Sequence, residues 1–269
     1  MHQLLLPPGF PLPLMDQAIA ERDTMYRDED AHYLSVGLSA LRIIEEALEG
    51  AEPRSVLDLP SGFGRVTRVL RARFPQAAIT ACDLDSDGVA FCAAQFGVRA
   101  ADSVRDFNQL LLGETYDLIW VGSLITHLPP RQTREFLAAM ARHMTPLSTL
   151  VVSSHGPSII PRLRETGYGL APEAAAALIE EYERTGFGYR DYGGGEEYGV
   201  ALSNENYGIS LTNEAWLREA LSGAGLRVET YRAQAWDDHH DVVTARLSRP
   251  AQTPAAKGVL AQIMRRWRR

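Results

Sequence analysis

The fold is decided by Ser55-Val-Leu-Asp-Leu-Pro-Ser-Gly-Phe-Gly-Arg-Val-Thr67, where a short apolar run is followed by a glycine-bearing turn and a helical pattern. Asp58 is the only charge in the run, which is typical of a parallel strand buried on both faces. Gly62 and Gly64 lack a Cβ atom and tolerate unusual backbone angles, so a ligand can lie directly against the turn. The helix predicted from Arg65 points free N–H groups at that ligand, which favours a phosphate or carboxylate.

The spacing of the glycines and acids limits the kinds of ligand that this turn can bind. The dinucleotide fingerprint G-x-G-x-x-G is not matched, because Pro60, Gly62 and Arg65 stand where its three glycines belong. No P-loop lysine follows the turn either. A second apolar run, Ala78 to Asp83, ends in an acid about one β-α-β unit downstream, which suits the two hydroxyls of a ribose.

These residues resemble the class I S-adenosylmethionine-dependent methyltransferases. In that family the acid and glycine loop lies under the methionine and ribose of the cofactor, and the acid ending the second strand binds the ribose. The sequence departs from the family at Pro60, where glycine is usual, and Asp102 also suits a helix N-cap. The resemblance implies S-adenosyl-L-methionine as cofactor, with ten candidate cofactor-binding residues: Asp58, Pro60, Ser61, Gly62, Gly64, Asp83, Leu84, Asp102, Ser103 and Ser123.

From Ser55 onward, short apolar runs alternate with helical patterns, which indicates an α/β fold with right-handed crossovers. Leu226–Tyr231 and Asp241–Leu247 have no helix between them and must pair antiparallel. We therefore predict a Rossmann-like, seven-stranded, mostly parallel sheet with a terminal antiparallel hairpin. A helical and Tyr/Gly-rich cap is expected after the fifth strand, as a hairpin turning at 193–195, a mobile acceptor lid over 186–208, or both.

The chain is expected to have five regions. They are an N-terminal segment and leading helix (1–54), the cofactor-binding half of the core (55–155), the cap insertion (156–212), the end of the core with its hairpin (213–248) and a basic tail (249–269). Packing of Tyr26 or Tyr33 against the methionine end of the cofactor is one role open to the leading helix. The tail has the pattern of a basic amphipathic helix, which suits weak contact with a membrane surface or a partner, or simple packing.

Composition excludes several classes of protein. With 269 residues, 45% of them hydrophobic, the chain can bury a full sheet, and its net charge of −7 argues against a general nucleic-acid binder. Cys82 and Cys92 are too few for a disulfide framework, so we expect buried thiols in a reducing cytoplasm. The first residues do not resemble a signal peptide, and no apolar run is long enough to cross a membrane. Homo-oligomerisation is left open.

Histidines supply the candidate catalytic base. In open α/β sheets ligands bind at the carboxyl ends of the parallel strands, where His127 follows the fourth strand and His155 closes the fifth. The final hairpin turns at the same edge and brings His239 there. We rank His155 first, His239 second and His127 third. A metal site of His155, His239, His240 and Asp241 is conceivable on residue type, but no ligand spacing demands it, so no metal is predicted.

The sequence thus predicts transfer of the cofactor's sulfonium methyl group to a small molecule. An oxygen acceptor on a sugar or secondary metabolite is favoured, because histidine bases stand where a hydroxyl proton would have to be removed. Two alternatives remain at this point: an NAD(P)-dependent oxidoreductase on a related fold, and a non-catalytic partner subunit that retains the fold.

Overall fold

The computed structural model describes residues 15–27, 29–192 and 207–248. The glycines at 193–195, most of the Tyr/Gly-rich stretch and the basic tail lie outside the described residues. The helices of the described part are α1 (Asp30–Leu48), α2 (Thr67–Arg73), α3 (Ser86–Phe96), α4 (Pro130–Arg142), α5 (Ile160–Thr166), α6 (Pro172–Thr185) and α7 (Glu214–Gly223). The strands are β1 (Ser55–Asp58), β2 (Ala78–Asp83), β3 (Arg99–Asp102), β4 (Tyr116–Val121), β5 (Met144–His155), β6 (Phe187–Asp191), β7 (Gly208–Thr212), β8 (Leu226–Trp236) and β9 (His240–Leu247).

The main sheet confirms the predicted fold. Its seven strands lie in the order β3-β2-β1-β4-β5-β9-β8, with β1 to β5 parallel. Strand β9 inserts between β5 and β8 and runs antiparallel to both. The last strand of the hairpin therefore lies beside β5, and its turn reaches the edge of the sheet where the parallel strands end.

Two apolar layers cover the faces of this sheet. Residues of α1, α2 and α3 form one buried cluster, and residues of α4 and α7 form the other. The runs of β1 and β4 are buried on both sides, which explains why they are apolar rather than alternating. Cys82 and Cys92 are free and buried, as expected. Among the described residues, no helix has the length and apolar character needed to cross a membrane.

The cap after β5 has a small core of its own. It is formed by α5, α6 and a two-stranded antiparallel sheet of β6 and β7, and its buried residues are Ile159, Leu163, Leu178, Ile179, Ile209 and Leu211. All five residues of β7 are buried. The Ser210 hydroxyl donates a hydrogen bond of 2.7 Å to the backbone oxygen of Ile125 in the main body. The described ends of the expected lid, β6 and the first residue of β7, pair with each other in this small sheet, and the mobility of the lid stays a prediction.

The structure also revises several predicted boundaries. The regular helix after the glycine turn begins at Thr67 rather than Arg65, because the turn itself occupies the intervening residues. Strand β8 continues to Trp236, five residues beyond the predicted end. It does so because it pairs along β9 up to Trp236 and His240, despite an irregular register.

Candidate functional site

A cavity of about 200 Å³ opens at the carboxyl ends of β1, β2 and β4. Its position is the one that open α/β sheets use for ligands. Residues predicted from the sequence that line it are Asp58, Pro60, Ser61, Gly62, Asp83, Ser123 and His127. A larger cavity of about 510 Å³ lies between α5 and α6 of the cap, and none of the predicted residues line it.

Other predicted residues lie outside the lining of the 200 Å³ cavity. Gly64 is buried with φ +80°, and a Cβ atom there would come within 2.9 Å of the Cys92 sulfur, so this glycine lets α3 pack against the loop. Asp102 is exposed and pairs in register with Asp83 across β2 and β3. The side chain of Leu84 is 55% exposed beside them. Of the remaining predicted residues, Ser103, His155 and His239 also lie outside this lining.

Asp58 is a buried acid with one unsatisfied oxygen. Its Oδ2 atom accepts a hydrogen bond of 2.6 Å from the Thr67 hydroxyl, whereas Oδ1 has no hydrogen-bond partner among the described residues. Burial raises the pKa of Asp58 to about 7, with the Thr67 hydrogen bond opposing the shift. A cationic donor in the cavity would supply the missing partner, since an unpaired buried carboxylate is costly.

Asp83 fixes the glycine loop to the end of β2. Its two carboxylate oxygens accept backbone N–H groups of Gly62, at 2.7 Å, and Asp85, at 3.0 Å. Burial raises the pKa of Asp83, and these backbone hydrogen bonds oppose the rise. Each carboxylate oxygen can accept a second hydrogen bond, so Asp83 can still receive the hydroxyls of a ribose.

Arg65 was not predicted as a site residue, although it lines the cavity. Its guanidinium carbon lies 5.7 Å from the ring centre of Tyr33. Within the part of the chain that the structure describes, its guanidinium donates no hydrogen bond and forms no ion pair. Arginine stays charged, so its donors are available to a carboxylate or phosphate. Arg65 could have been found from the sequence, because it stands at the predicted start of the helix, where an anion was expected to bind.

The N-terminal segment covers one side of the cavity. Asp23 and Met25 belong to the lining, whereas Tyr26 and Tyr33 do not. Buried Arg68 holds this segment in place, because its guanidinium donates hydrogen bonds to the backbone oxygen of Ala18 at 2.8 Å and to the Tyr33 hydroxyl at 3.3 Å. The segment thus reaches the cavity through residues other than the expected tyrosines.

His127 faces the cavity from a short 3-10 helix, Ile125–His127, that follows β4. Its Nδ1 atom lies 2.8 Å from the backbone oxygen of Gly208. A carbonyl only accepts hydrogen bonds, so Nδ1 carries the proton and Nε2 carries a lone pair. Burial lowers the pKa of His127, and the hydrogen bond to Gly208 opposes that shift. The ring also stacks on Tyr207 with centroids 4.9 Å apart.

The other two candidate bases lie together at the end of β5 and in the turn between β8 and β9. The ring centroids of His155 and His239 are 6.2 Å apart, and the His240 ring packs against both, at 4.9 Å and 4.1 Å. His155 is 2% exposed. The structure therefore separates the three predicted bases into one histidine that lines the cavity, His127, and a pair that belongs to a separate cluster.

Comparison with known proteins agrees with this geometry. Residues 56–147 match a family model described as a methyltransferase domain. Among solved structures of similar fold is an S-adenosylmethionine-dependent methyltransferase from Clostridium acetobutylicum, with 14% identity, a TM-score of 0.53, and coverage of 78% of this chain and 91% of that chain. Another is the 1,6-didemethyltoxoflavin-N1-methyltransferase of Burkholderia thailandensis, solved with S-adenosylhomocysteine, with 18% identity, a TM-score of 0.53, and coverage of 80% and 79%.

A third similar structure is the mitomycin 7-O-methyltransferase, with 15% identity and a TM-score of 0.53, matched over 81% of this chain and 55% of that chain. At these identities the likeness concerns the fold. No curated protein matches the chain by sequence.

The sheet order, the antiparallel hairpin and the cavity at the strand ends are those of the class I, Rossmann-like methyltransferase fold. Residues 56–147 belong to the methyltransferase domain family, and the protein is an S-adenosylmethionine-dependent methyltransferase. The two alternatives from the sequence, an NAD(P)-dependent oxidoreductase and a non-catalytic partner subunit, are therefore not retained.

Proposed function

We propose that the protein methylates a hydroxyl oxygen of a small molecule, such as a sugar or secondary metabolite, with His127 as the general base. The observation that supports this most strongly is the hydrogen bond from His127 Nδ1 to Gly208, because it leaves Nε2 of the neutral imidazole with a lone pair that can accept a proton. Our sequence ranking placed His155 and His239 ahead of His127. The geometry favours His127, since it alone of the three lines the cavity.

The residues around the cavity fit the cofactor. S-adenosylmethionine supplies a methyl group bonded to a positively charged sulfur, which is already a good leaving group. We assign Asp58 Oδ1 to the cofactor's ammonium group and Asp83 to its ribose hydroxyls. We assign Arg65 to its carboxylate, because that guanidinium forms no ion pair within the described residues, although Asp237 and Asp23 attract it from farther away. Pro60, Ser61, Gly62 and Ser123 would line the remaining contact surface; Leu84, Asp102 and Ser103 would lie toward the adenine.

Catalysis by these residues would consist of positioning and proton removal. The chain would hold the acceptor oxygen in line with the methyl group, and Nε2 of His127 would take the hydroxyl proton as the new bond forms. A low pKa keeps that imidazole neutral and ready to accept a proton at neutral pH.

A small acceptor is supported by the size of the cavity and by the three parts of the chain that border it. Tyr207 from the cap and Asp23 and Met25 from the N-terminal segment border a volume of about 200 Å³ together with the core loops. Two proteins of similar fold are named for small acceptors, 1,6-didemethyltoxoflavin and mitomycin. We extend that class of acceptor to this chain as part of the proposal.

The test is a screen of hydroxylated sugars and aromatic metabolites with methyl-labelled S-adenosylmethionine. We expect label in at least one acceptor, and NMR of the product should place the methyl group on oxygen. Calorimetric titration should show binding of S-adenosylhomocysteine and no binding of NADH. A product methylated on carbon or nitrogen would overturn the oxygen assignment. An unchanged turnover rate in His127→Gln would overturn the proposed base.

A further inference from the structure

Three histidines converge beside β5, outside the lining of the 200 Å³ cavity. His155 and His240 are partners in register on β5 and β9, so their rings stack with centroids 4.9 Å apart. His239 precedes β9, and its ring centroid is 4.1 Å from that of His240. Consecutive residues of a strand point to opposite faces. Here Asp237 and Asp238 have positive φ angles, and the turn that they form brings both rings to one side.

The nitrogen atoms of this cluster are largely unpaired. Nδ1 of His155 and both ring nitrogens of His240 are buried and have no hydrogen-bond partner within the described ranges. The two residues are 2% and 5% exposed. Leaving such atoms unpaired in the interior is costly, so native proteins rarely do so without a reason. Stacked rings alone do not supply that partner.

We propose that His155, His239 and His240 form a binding site for a divalent transition-metal ion of the zinc, cobalt and nickel type. One ligand nitrogen from each residue lies within 4.8 Å of the others. Three neutral imidazoles suit these borderline ions and do not suit magnesium or calcium, which prefer oxygen ligands. The sequence predicted no metal because no spacing demanded one. Here the pairing of β5 with β9 supplies the spacing.

The geometry requires a modest adjustment. Nitrogen atoms bound at about 2.0–2.1 Å to a common tetrahedral ion are about 3.3–3.4 Å apart. A pair at the 4.8 Å limit would therefore close by roughly 1.4 Å, which rotation of the two side chains toward the ion can provide. Burial lowers the pKa of both His155 and His240 well below the ordinary value, so they are neutral and their lone pairs are available.

His239 has the orientation of a metal ligand. Its Nδ1 atom is hydrogen-bonded to the backbone oxygen of Asp237, which leaves Nε2 for the ion. Metal-bound histidines commonly donate their other N–H group to a carbonyl or carboxylate in this way. The side chain of His239 is 24% exposed, so the site has a route to solvent, and water would complete a four-coordinate ion. The ion would hold the turn between β8 and β9 against the end of β5.

The experiment uses the full-length protein after treatment with a chelator. Titration with Zn²⁺ in a calorimeter should give one site per chain, and Co²⁺ should give the visible absorption of a low-coordinate histidine complex. Zn²⁺ should also raise the melting temperature, because an ion that binds only the folded state stabilises it. Absence of a stoichiometric site for Zn²⁺, Co²⁺ and Ni²⁺ would overturn the proposal.

Variants identify the ligands. His239→Ala and His240→Gln should each weaken Zn²⁺ binding by more than about 100-fold, since outer-shell partners alone are worth roughly 10–100-fold. His32→Gln, on the exposed side of α1, is the matched control and should bind Zn²⁺ as the wild type does. If His240→Gln fails to fold, half-buried His239 still gives a test. Zn²⁺ binding of wild-type affinity in His239→Ala would refute the proposed three-histidine site.

This inference is independent of the proposed base, because His127 is not among the three ligands. Binding of S-adenosylhomocysteine to each variant checks that the main body is intact. If His127→Gln lowers turnover and Zn²⁺ does not bind, the metal site fails and the proposed function stands. If Zn²⁺ binds and His127→Gln keeps full turnover, the metal site stands and the proposed base fails.

Discussion

His127 Nδ1 lies 2.8 Å from the backbone oxygen of Gly208, a residue 81 positions later in the chain. The contact joins the loop after β4 to the first residue of cap strand β7. It fixes one tautomer of the imidazole, and so a contact with the cap determines which nitrogen of a core residue carries the proton. Catalytic histidines are commonly oriented in this way by a partner on the opposite nitrogen.

Replacement of His127 should therefore lower turnover without weakening cofactor binding. We expect His127→Gln to reduce kcat by about two to four orders of magnitude once an acceptor is known, because proton transfer loses its base. The affinity for S-adenosylhomocysteine, measured by calorimetry, should stay within about twofold of the wild type. His32→Gln is the control for loss of an exposed histidine.

The same residue predicts a pH profile. Burial lowers the pKa of His127 below the ordinary value, so the base is neutral across the neutral range. Turnover should consequently be flat there and fall only in acid, below about pH 6.5. Stopped assays across pH 5 to 8 would show the acid limb in the wild type. If turnover of His127→Gln fell in acid with the same midpoint, the group that titrates would be a residue other than His127.

Asp58 should link both stability and cofactor binding to pH. Its pKa is about 7 in the folded state and near 3.8 when unfolded, so the folded state holds the extra proton between these values. Stability in the absence of cofactor should fall as pH rises from about 4 to 7, by at most about 4 kcal/mol. Chemical denaturation of Asp58→Asn should lack this slope and show higher stability at pH 8 than the wild type.

The effect of Asp58 on cofactor binding should have the opposite sign. If its ionised carboxylate receives the ammonium group, affinity for S-adenosylhomocysteine rises as pH increases through 7. Binding should then release a proton, detectable by calorimetry in buffers of different ionisation enthalpy. Asp58→Asn should bind more weakly at pH 8 and lose this dependence. Equal affinities at pH 6 and pH 8 in the wild type would contradict the assignment.

Asp83 should be essential for the ribose contact. Asp83→Ala is expected to lower the affinity for S-adenosylhomocysteine by about two orders of magnitude, through loss of charge-assisted hydrogen bonds. Because Asp83 also accepts the N–H groups of Gly62 and Asp85, the variant loosens the loop as well. Asp85→Ala, which removes the N-cap of α3 and keeps Asp83, controls for that loosening. An unchanged dissociation constant of Asp83→Ala for S-adenosylhomocysteine would show that Asp83 does not bind the ribose.

Arg65 should distinguish two ligands that differ only in their amino-acid part. Arg65→Gln is expected to weaken binding of S-adenosylhomocysteine by about 10- to 100-fold, as for a charge-assisted hydrogen bond. Binding of 5′-methylthioadenosine, which has no carboxylate, should stay the same. Arg42→Gln, at an exposed position of α1, provides the control. If Arg65→Gln weakened the binding of both ligands equally, the substitution would have distorted the cavity in general, and Arg65 would not recognise the carboxylate.

Local sequence was sufficient to predict strand β2 and the glycine turn after β1. Strand β2 runs over Ala78–Asp83 as predicted, and Gly62 and Gly64 have positive φ angles. These features depend on residues close together in the chain: apolar runs that must be buried, acids that end them, and glycines that allow the turn. The antiparallel pairing of the last two strands followed from the absence of a helix between them, and the structure confirms it.

The histidine assignments needed the tertiary structure. From the sequence, His127, His155 and His239 all stood at one sheet edge, and nothing local distinguished them. Their different environments arise from contacts between distant segments: Gly208 of the cap on His127, and the register of β5 with β9 on His155 and His240. Strand pairing and cap packing fix which nitrogen is paired and which ring is buried, and neither is encoded within a few residues of the histidine itself.

The N-terminal side of the cavity shows the same division. The sequence determined that an amphipathic helix precedes β1, because its apolar residues recur at helical spacing. Only the folded chain decided that Arg68 would hold Ala18 and Tyr33 beside the loop, through hydrogen bonds that span 50 and 35 positions. Helical periodicity is a property of neighbours in sequence. A buried guanidinium finds its acceptors only when the sheet and its helices bring them within reach.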